Sequence, residues 1–565
     1  MLSSLLLNVS GPFVYQIEVS KILRQRISCP HPERYALVSY NMPIKTGVAS
    51  IFAITLASVE MLTRAHAGPG ANPLERCQDI VHSEVSNIPD APTQVVGSSH
   101  IVESSSQEYC EVRGYVVPNV GFSLRLPLNG WNGKLIEVGC GGACGSMEHA
   151  VSCKNPLHRG YACIVSDGGH RSTQMDMKWA YNNPQAVIEY LVGASHVTAL
   201  AAKALVARFY QQAPKRSYFL GCSAGGVQAM LEAQRFPWDF DGIVAGGPAL
   251  NLSGLWMNFL WDSRAMTGKN GGPLLGSADL ELIHRAVVSR CDLNDGVKDG
   301  LIGDPRRCRF DVAELRCTND RNTHCLSPQQ VQAAEKIYSG PITSKGEQIV
   351  PPIALKGSER LWWAFDPPAG EADPNSFYNY FGDWFRYYLF QPNPGPEWKP
   401  DQFDFDGDFK RLGVAEITEP FNDPDLRRLK AAGGKLLSYT GWADPVEGVL
   451  RTVDYYEAAE RVVGGRSSTQ DFFRLFVIPG MGHCGGGEGA FAVDYLSYLE
   501  DWVEKGIAPA KLIGFHITDQ EGQPSFPLDP AAVEFSRPIY PYPTEAVYLG
   551  HGDPKDAASF GPIER

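Results

Sequence analysis

The sequence predicts an α/β domain built on a mostly parallel sheet and broken by one large insertion. Three observations carry this. Short runs rich in β-formers recur at 134–140, 162–167, 218–222, 242–246, 435–440 and 475–479. Several are nearly continuous in apolar residues, as expected of strands buried on both faces of a parallel sheet. Helical stretches separate them, notably 186–210, whose apolar residues recur at helical spacing; alternating strand and helix implies stacked layers of each. Finally, this rhythm stops near Asn251 and returns at 423–432.

The chain has 565 residues, 44% of them hydrophobic and 20% charged, which is ordinary globular composition. A net charge of -13 argues against a nucleic-acid or anionic-membrane partner. Residues 1–67 read as a leader rather than part of the fold. Within it, 42–67 runs from a basic start at Lys45 through an apolar stretch at 48–57 to Ala65-His66-Ala67. That is the layout of a secretory signal and its cleavage site, with an apolar core too short for a membrane span. Because the pattern starts at Met42, translation is expected to begin there. Of 13 cysteines, removing the leader deletes Cys29 and leaves 12. An even set in an exported chain reads as a disulfide framework. The protein is therefore expected to be secreted or periplasmic.

In chain order, 68–128 is an N-terminal region in which 122–127 (FSLRLP) alternates like a strand with one wet face. The stretch 217–230, SYFLGCSAGGVQAM, begins as a strand and ends as a helix, with Gly221-Cys222-Ser223-Ala224-Gly225 between them. This fits G-x-S-x-G, which presents a serine on a tight strand-to-helix turn. Glycine is needed where the turn brings backbone close to its neighbours. The following helix aims its N-terminal amides above Ser223, favouring negative charge there. The segment 251–421, rich in Pro, Gly, Asp and aromatics, is expected to form a lid over the edge where open α/β sheets bind ligands. The main domain is then made of 68–250 and 422–565.

A serine hydroxyl needs a base, and the base an orienting carboxylate. In α/β hydrolases the chain order is Ser, Asp, His. Asp444 follows the run 435–440 in Gly441-Trp442-Ala443-Asp444-Pro445, and His483 follows 475–479 in Gly480-Met481-Gly482-His483-Cys484. Both stand just past strand ends, in the required order. Cys222 precedes Ser223 and Cys484 follows His483. A disulfide between them would limit drift of the imidazole from the hydroxyl, where small misplacements are costly.

The Cys-Ser, Asp, His-Cys arrangement resembles the tannase and feruloyl esterase family of α/β hydrolases, which includes mono(2-hydroxyethyl) terephthalate hydrolases. The resemblance spans about 75–560 and rests on WNGKL at 131–135, DGGH at 167–170, ARFY at 207–210, YFLGCSAGG at 218–226, FDGIVAG at 240–246, CLSPQQ at 325–330 and PGMGHC at 479–484. It implies an α/β-hydrolase fold with Ser223 as nucleophile, His483 as base and Asp444 as orienting acid. It also implies an oxyanion hole from the amides of Ala224 and Gly142. A glycine-rich loop after 134–138 can aim such an amide at a carbonyl oxygen.

A second site is expected at 291–301, CDLNDGVKDGL. Three carboxylates so close repel unless a cation lies among them, and hard oxygen ligands in a glycine-containing loop suit Ca²⁺. The loop is not an EF-hand, since Gly296 stands where that motif needs an oxygen ligand. The resemblance implies Asp292, Asp295 and Asp299, with the carbonyls of Val297 and Leu301, as structural calcium ligands in the lid. It further implies the disulfides Cys77–Cys110, Cys291–Cys308 and Cys317–Cys325. Cys140, Cys144, Cys153 and Cys163 allow three pairings, which sequence leaves open.

Aromatic residues crowd the lid at 361–365 and 377–390; their rings suit stacking on a phenolic acyl group or simply fill the lid core. Arg386 offers a cation for a substrate anion or an ordinary structural pair. The expected activity is hydrolysis of small aromatic-acid esters, feruloyl-type first, with galloyl esters or a terephthalate monoester as alternatives. A calcium-stabilised extracellular binding protein with an inactive triad is the reading from a different class.

Overall fold

The apolar runs become the parallel strands of one sheet. The computed structural model describes residues 72–564 except 105–106, 148–152, 270, 319–323, 367–376, 413–421 and 519–523. The expected leader and its cleavage site lie outside the described residues. The strands are β1 (Thr93–Ser104), β2 (Gln107–Val116), β3 (Val120–Pro127), β4 (Lys134–Val138), β5 (Ala162–Ser166), β6 (Arg216–Cys222), β7 (Gly242–Gly246), β8 (Lys435–Gly441) and β9 (Phe473–Ile478). Their order is β1-β2-β3-β5-β4-β6-β7-β8-β9. From β5 to β9 every pairing is parallel, whereas β1, β2 and β3 join as an antiparallel edge.

Strand periodicity sorts side chains to the two faces. Tyr218 of β6 and Val244 of β7 pack with Leu499 of the helix Tyr495–Lys505. Their neighbours Phe219 and Ile243 face the opposite layer, which merges with the apolar interior of the 251–421 segment. That segment leaves the sheet after β7 and returns before β8, which are paired neighbours through Gly242↔Lys435. Among its described residues it adds helices but no strand to the sheet.

The helix expected over 186–210 is interrupted. It runs as Pro184–Ile188, a π-helical turn at Glu189–Gly193, and Ala194–Tyr210. Such bulges re-aim side chains and cluster at functional sites; here the bulge carries Tyr190 into the central cavity. The N-terminal region, in which sequence singled out one strand, supplies three. The C-terminal region adds two hairpins, Leu512–Ile517 with Val533–Ile539 and Thr544–Tyr548 with Phe560–Glu564.

Cys77, in the helix Pro73–Asp79, is bonded to Cys110 of β2 and closes a separation of 33 residues. Replacing both cysteines by alanine should cost about 4 kcal/mol of stability by the loop-entropy argument, read as a lowered Tm.

Candidate active site

Ser223 sits between β6 and the helix Ala224–Arg235, with φ 63° and ψ -125°. Left-handed backbone at a non-glycine residue is strained and persists where its surroundings fix it. Here the Ser223 amide donates to the Gly246 carbonyl of β7 at 3.1 Å. The flanking glycines make the turn possible: a Cβ on Gly221 would lie 2.2 Å from the Gly225 carbonyl oxygen, and one on Gly225 2.9 Å from that of Cys140.

The loops after β8 and β9 bring the other two predicted residues to this turn. His483 Nε2 lies 3.1 Å from Ser223 Oγ, and its Nδ1 lies 3.0 Å from Asp444 Oδ2. Asp444 is buried, and its Oδ1 accepts the Val446 amide at 2.8 Å, which fixes the carboxylate's orientation. Burial pulls the imidazole pKa down, but the charges of Asp444 and Glu447 and the Asp444 hydrogen bond more than offset it. The result is a pKa raised to about 9. Cys222 and Cys484 are bonded, with Cα atoms 5.9 Å apart across 262 residues. The arrangement can pass a proton from hydroxyl to imidazole.

The two residues expected to supply oxyanion amides, Gly142 and Ala224, both line the cavity above Ser223. Ala224 opens its helix, where amides have no intrahelical partner. The Gly142 loop is clamped on several sides. Tyr190 Oη donates to the Gly142 carbonyl, the Ala143 amide to Gln174, and the Cys140 amide to Gln228 Oε1. His170, of the DGGH stretch, donates from Nε2 to the Ala143 carbonyl and stacks on Trp179. Burial lowers its pKa to about 4, so it stays neutral. The four cysteines whose pairing was open join as Cys140–Cys144 and Cys153–Cys163, the first inside this loop.

The cavity measures about 370 Å³. Of the lid aromatics, Phe377, Tyr380 and Trp384 line it, whereas Trp362 and Phe365 are lid core and Trp363 is exposed. Arg386 does not reach it; the guanidinium pairs with Asp383 at 2.7 Å and donates to the Trp398 carbonyl. Among the described lining residues there is no Lys or Arg. Sequence reasoning missed Trp256, Tyr190, Gln228 and Glu447, which also line the cavity. The one local signal for Glu447 was an acid three residues beyond Asp444 in a Pro- and Gly-bounded turn.

The acidic loop expected to bind calcium is formed, and the cysteines around it are bonded as Cys291–Cys308 and Cys317–Cys325. Asp292 and Asp295 are buried. Burial, then the charges of Asp299 and Asp292, push the Asp295 carboxyl up to about 7, and the Asp292 carboxyl is raised as well. Burial is the larger cause in both, with the neighbouring carboxylates adding to it. Asp299 is partly diverted, since its Oδ2 pairs with Arg537 at 2.6 Å. Val297 and Leu301 stand on the same loop, their amides donating to Asp295 and Asp299.

Fold and site together define an α/β hydrolase. The model of the tannase and feruloyl esterase family matches residues 101–373 and 406–563. Mono(2-hydroxyethyl) terephthalate hydrolase of Piscinibacter sakaiensis is 32% identical over 521 residues, covering 80% of this chain and 84% of that protein. A probable feruloyl esterase B-1 of Aspergillus flavus is 30% identical over 495 residues, covering 83% and 88%. The crystal structure of an esterase from Aspergillus oryzae superposes with a TM-score of 0.73 at 26% identity, covering 86% of this chain and 99% of that one. The chain belongs to the tannase and feruloyl esterase family and is a carboxylic ester hydrolase, which sets aside the binding-protein reading.

Replacing Cys222 and Cys484 together by alanine should free the imidazole relative to the hydroxyl and lower kcat about 100-fold with less effect on KM, measured by steady-state ester hydrolysis on folded protein.

Proposed function

We propose that the protein is a secreted esterase of hydroxycinnamic acids that works through an acyl-enzyme on Ser223. The observation that carries this is the position of His483, within hydrogen-bond distance of both Ser223 and Asp444 beneath an aromatic cavity. Ser223 Oγ attacks the ester carbonyl while its proton passes to His483 Nε2. The amides of Ala224 and Gly142 hold the oxyanion. The imidazolium returns the proton to the departing alcohol, and a second cycle with water as nucleophile releases the acid.

The cavity's lack of a described cation favours an acyl group without a carboxylate. That supports a feruloyl-type substrate over a terephthalate monoester, since a buried carboxylate needs a partner. The chain is similar to a probable feruloyl esterase and, to about the same degree, to a mono(2-hydroxyethyl) terephthalate hydrolase, so the cavity lining and not the likeness carries the preference. Export is supported by six disulfides among the described residues, because such bonds persist in oxidising compartments. The substrate source on this reading is plant cell wall or tannin.

We also propose that the loop 291–301 holds Ca²⁺ through Asp292, Asp295 and Asp299 with the carbonyls of Val297 and Leu301. The repulsion among these carboxyls supports it. The ion's part is structural, neutralising the loop and tying it down.

Ser223→Ala should lower kcat on methyl ferulate by about 10⁴-fold or more. Across methyl ferulate, methyl gallate and a terephthalate monoester, kcat/KM should be highest for the ferulate; no turnover of ferulates overturns the substrate assignment. Because His483 must be neutral to accept the proton and its pKa is raised to about 9, kcat/KM should rise with pH towards that value and fall away below it. Chelation with EDTA should lower Tm, with recovery on adding CaCl₂; an unchanged Tm removes the calcium assignment.

A further inference from the structure

Glu447 is the one carboxyl in the cavity lining that the triad does not use. It is 1% exposed, and apart from the nearby Ser223 hydroxyl no described group is within hydrogen-bonding reach of its oxygens. Leaving a carboxyl in that state is costly unless charge appears beside it. Its Oε1 lies 3.6 Å from His483 Nδ1, the nitrogen already held by Asp444 at 3.0 Å. The backbone makes room for it: a Cβ on Gly247 would lie 2.1 Å from Glu447 Oε2.

We propose that Glu447 is a positioning residue of the proton relay, a second carboxyl that shares the Nδ1 edge of His483 with Asp444 and stabilises the imidazolium formed when Ser223 gives up its proton. The inference rests on the reading of Ser223 and His483 as nucleophile and base. The step balances without Glu447 changing its bonds. The Ser223 proton moves to Nε2, the Oγ electron pair forms the acyl bond, and the Nδ1 proton stays between ring and Asp444.

The groups facing Glu447 are few. His483 and Asp444 come from the loops after β9 and β8, Ser223 from the nucleophile turn, and Tyr439 from β8. Arg451, one turn further along, acts on Asp262. Burial, opposed by His483 and reinforced by Asp444, holds the Glu447 carboxyl well above the usual range. Only the imidazole and the Ser223 hydroxyl favour its ionised form, so a proton arriving on the imidazole is what makes Glu447 a charged partner. A metal is not the missing partner: Glu447, His483 and Cys484 are grouped closely enough for one, but the Cys484 sulfur is spent on Cys222.

The test is the pH dependence of Ser223 phosphonylation by a fluorophosphonate, together with kcat/KM on methyl ferulate, in wild type, E447Q and E447D. The acid limb should move about one pH unit lower in E447Q, while E447D keeps the wild-type limb. Coincident limbs in wild type and a folded E447Q overturn the proposal. Where E447Q does not fold, the wild type decides through the downfield proton NMR signal of His483 Nδ1–H. Two linked protonation steps across the pH range support the proposal and a single step overturns it. A wild type that the probe does not label at all rejects Ser223 as nucleophile, and the inference falls with it.

Discussion

One covalent bond fixes the distance on which the site depends. Cys222 and Cys484 are far apart in sequence, and each is the chain neighbour of a residue that must meet the other's neighbour. Joining them is worth about 5 kcal/mol in the chain-entropy account. Its larger effect is geometric. Ser223 and Cys484 both hold left-handed backbone at φ 63°, a conformation that relaxes unless over-determined. The sheet holds one end through the Ser223 amide on Gly246, and the sulfur bridge holds the other.

Around that fixed centre the lid supplies shape rather than charge. Trp256, Phe377, Tyr380 and Trp384 turn aromatic surface to the cavity, while Arg386 is occupied by Asp383. The titratable groups that remain are concentrated at His483, Asp444 and Glu447. In a site walled by apolar groups such charges interact strongly with one another and with whatever develops on the substrate. The loop that carries Gly142 is held in place rather than charged. Tyr190, His170, Gln228 and a short disulfide hold it from separate directions, so little reorganisation is left for the moment of reaction.

Much of this was legible in the chain. The strands at the centre of the sheet announce themselves because burial on both faces demands unbroken runs of β-formers, and β7 falls on 242–246 as expected. Ser223, Asp444 and His483 were legible because each follows such a run in the order the fold imposes, and the structure brings all three into one hydrogen-bonded chain. The outer antiparallel strands β1 and β2 were not legible. β1 reads TQVVGSSHIVES, with Val96 and Val102 exposed, so its pattern is too polar to stand out. The π turn at Glu189–Gly193 has no signature in apolar spacing. The pairing of Cys140, Cys144, Cys153 and Cys163 depends on where a loop folds back, and Arg386 on a neighbour one helical turn away. Glu447 looked like any loop acid until three separate loops converged on it.

The path of the chain between β7 and β8 has a further consequence. Departure and return fall on adjacent, mutually paired strands, and both disulfides of the segment, Cys291–Cys308 and Cys317–Cys325, close within it. None of the six sulfur bridges ties it to the rest of the protein. Such a segment behaves as a cassette. What covers Ser223 can therefore vary between two strand ends that stay put, provided that the apolar layer shared with Phe219 and Ile243 and the Asp299–Arg537 pair are kept.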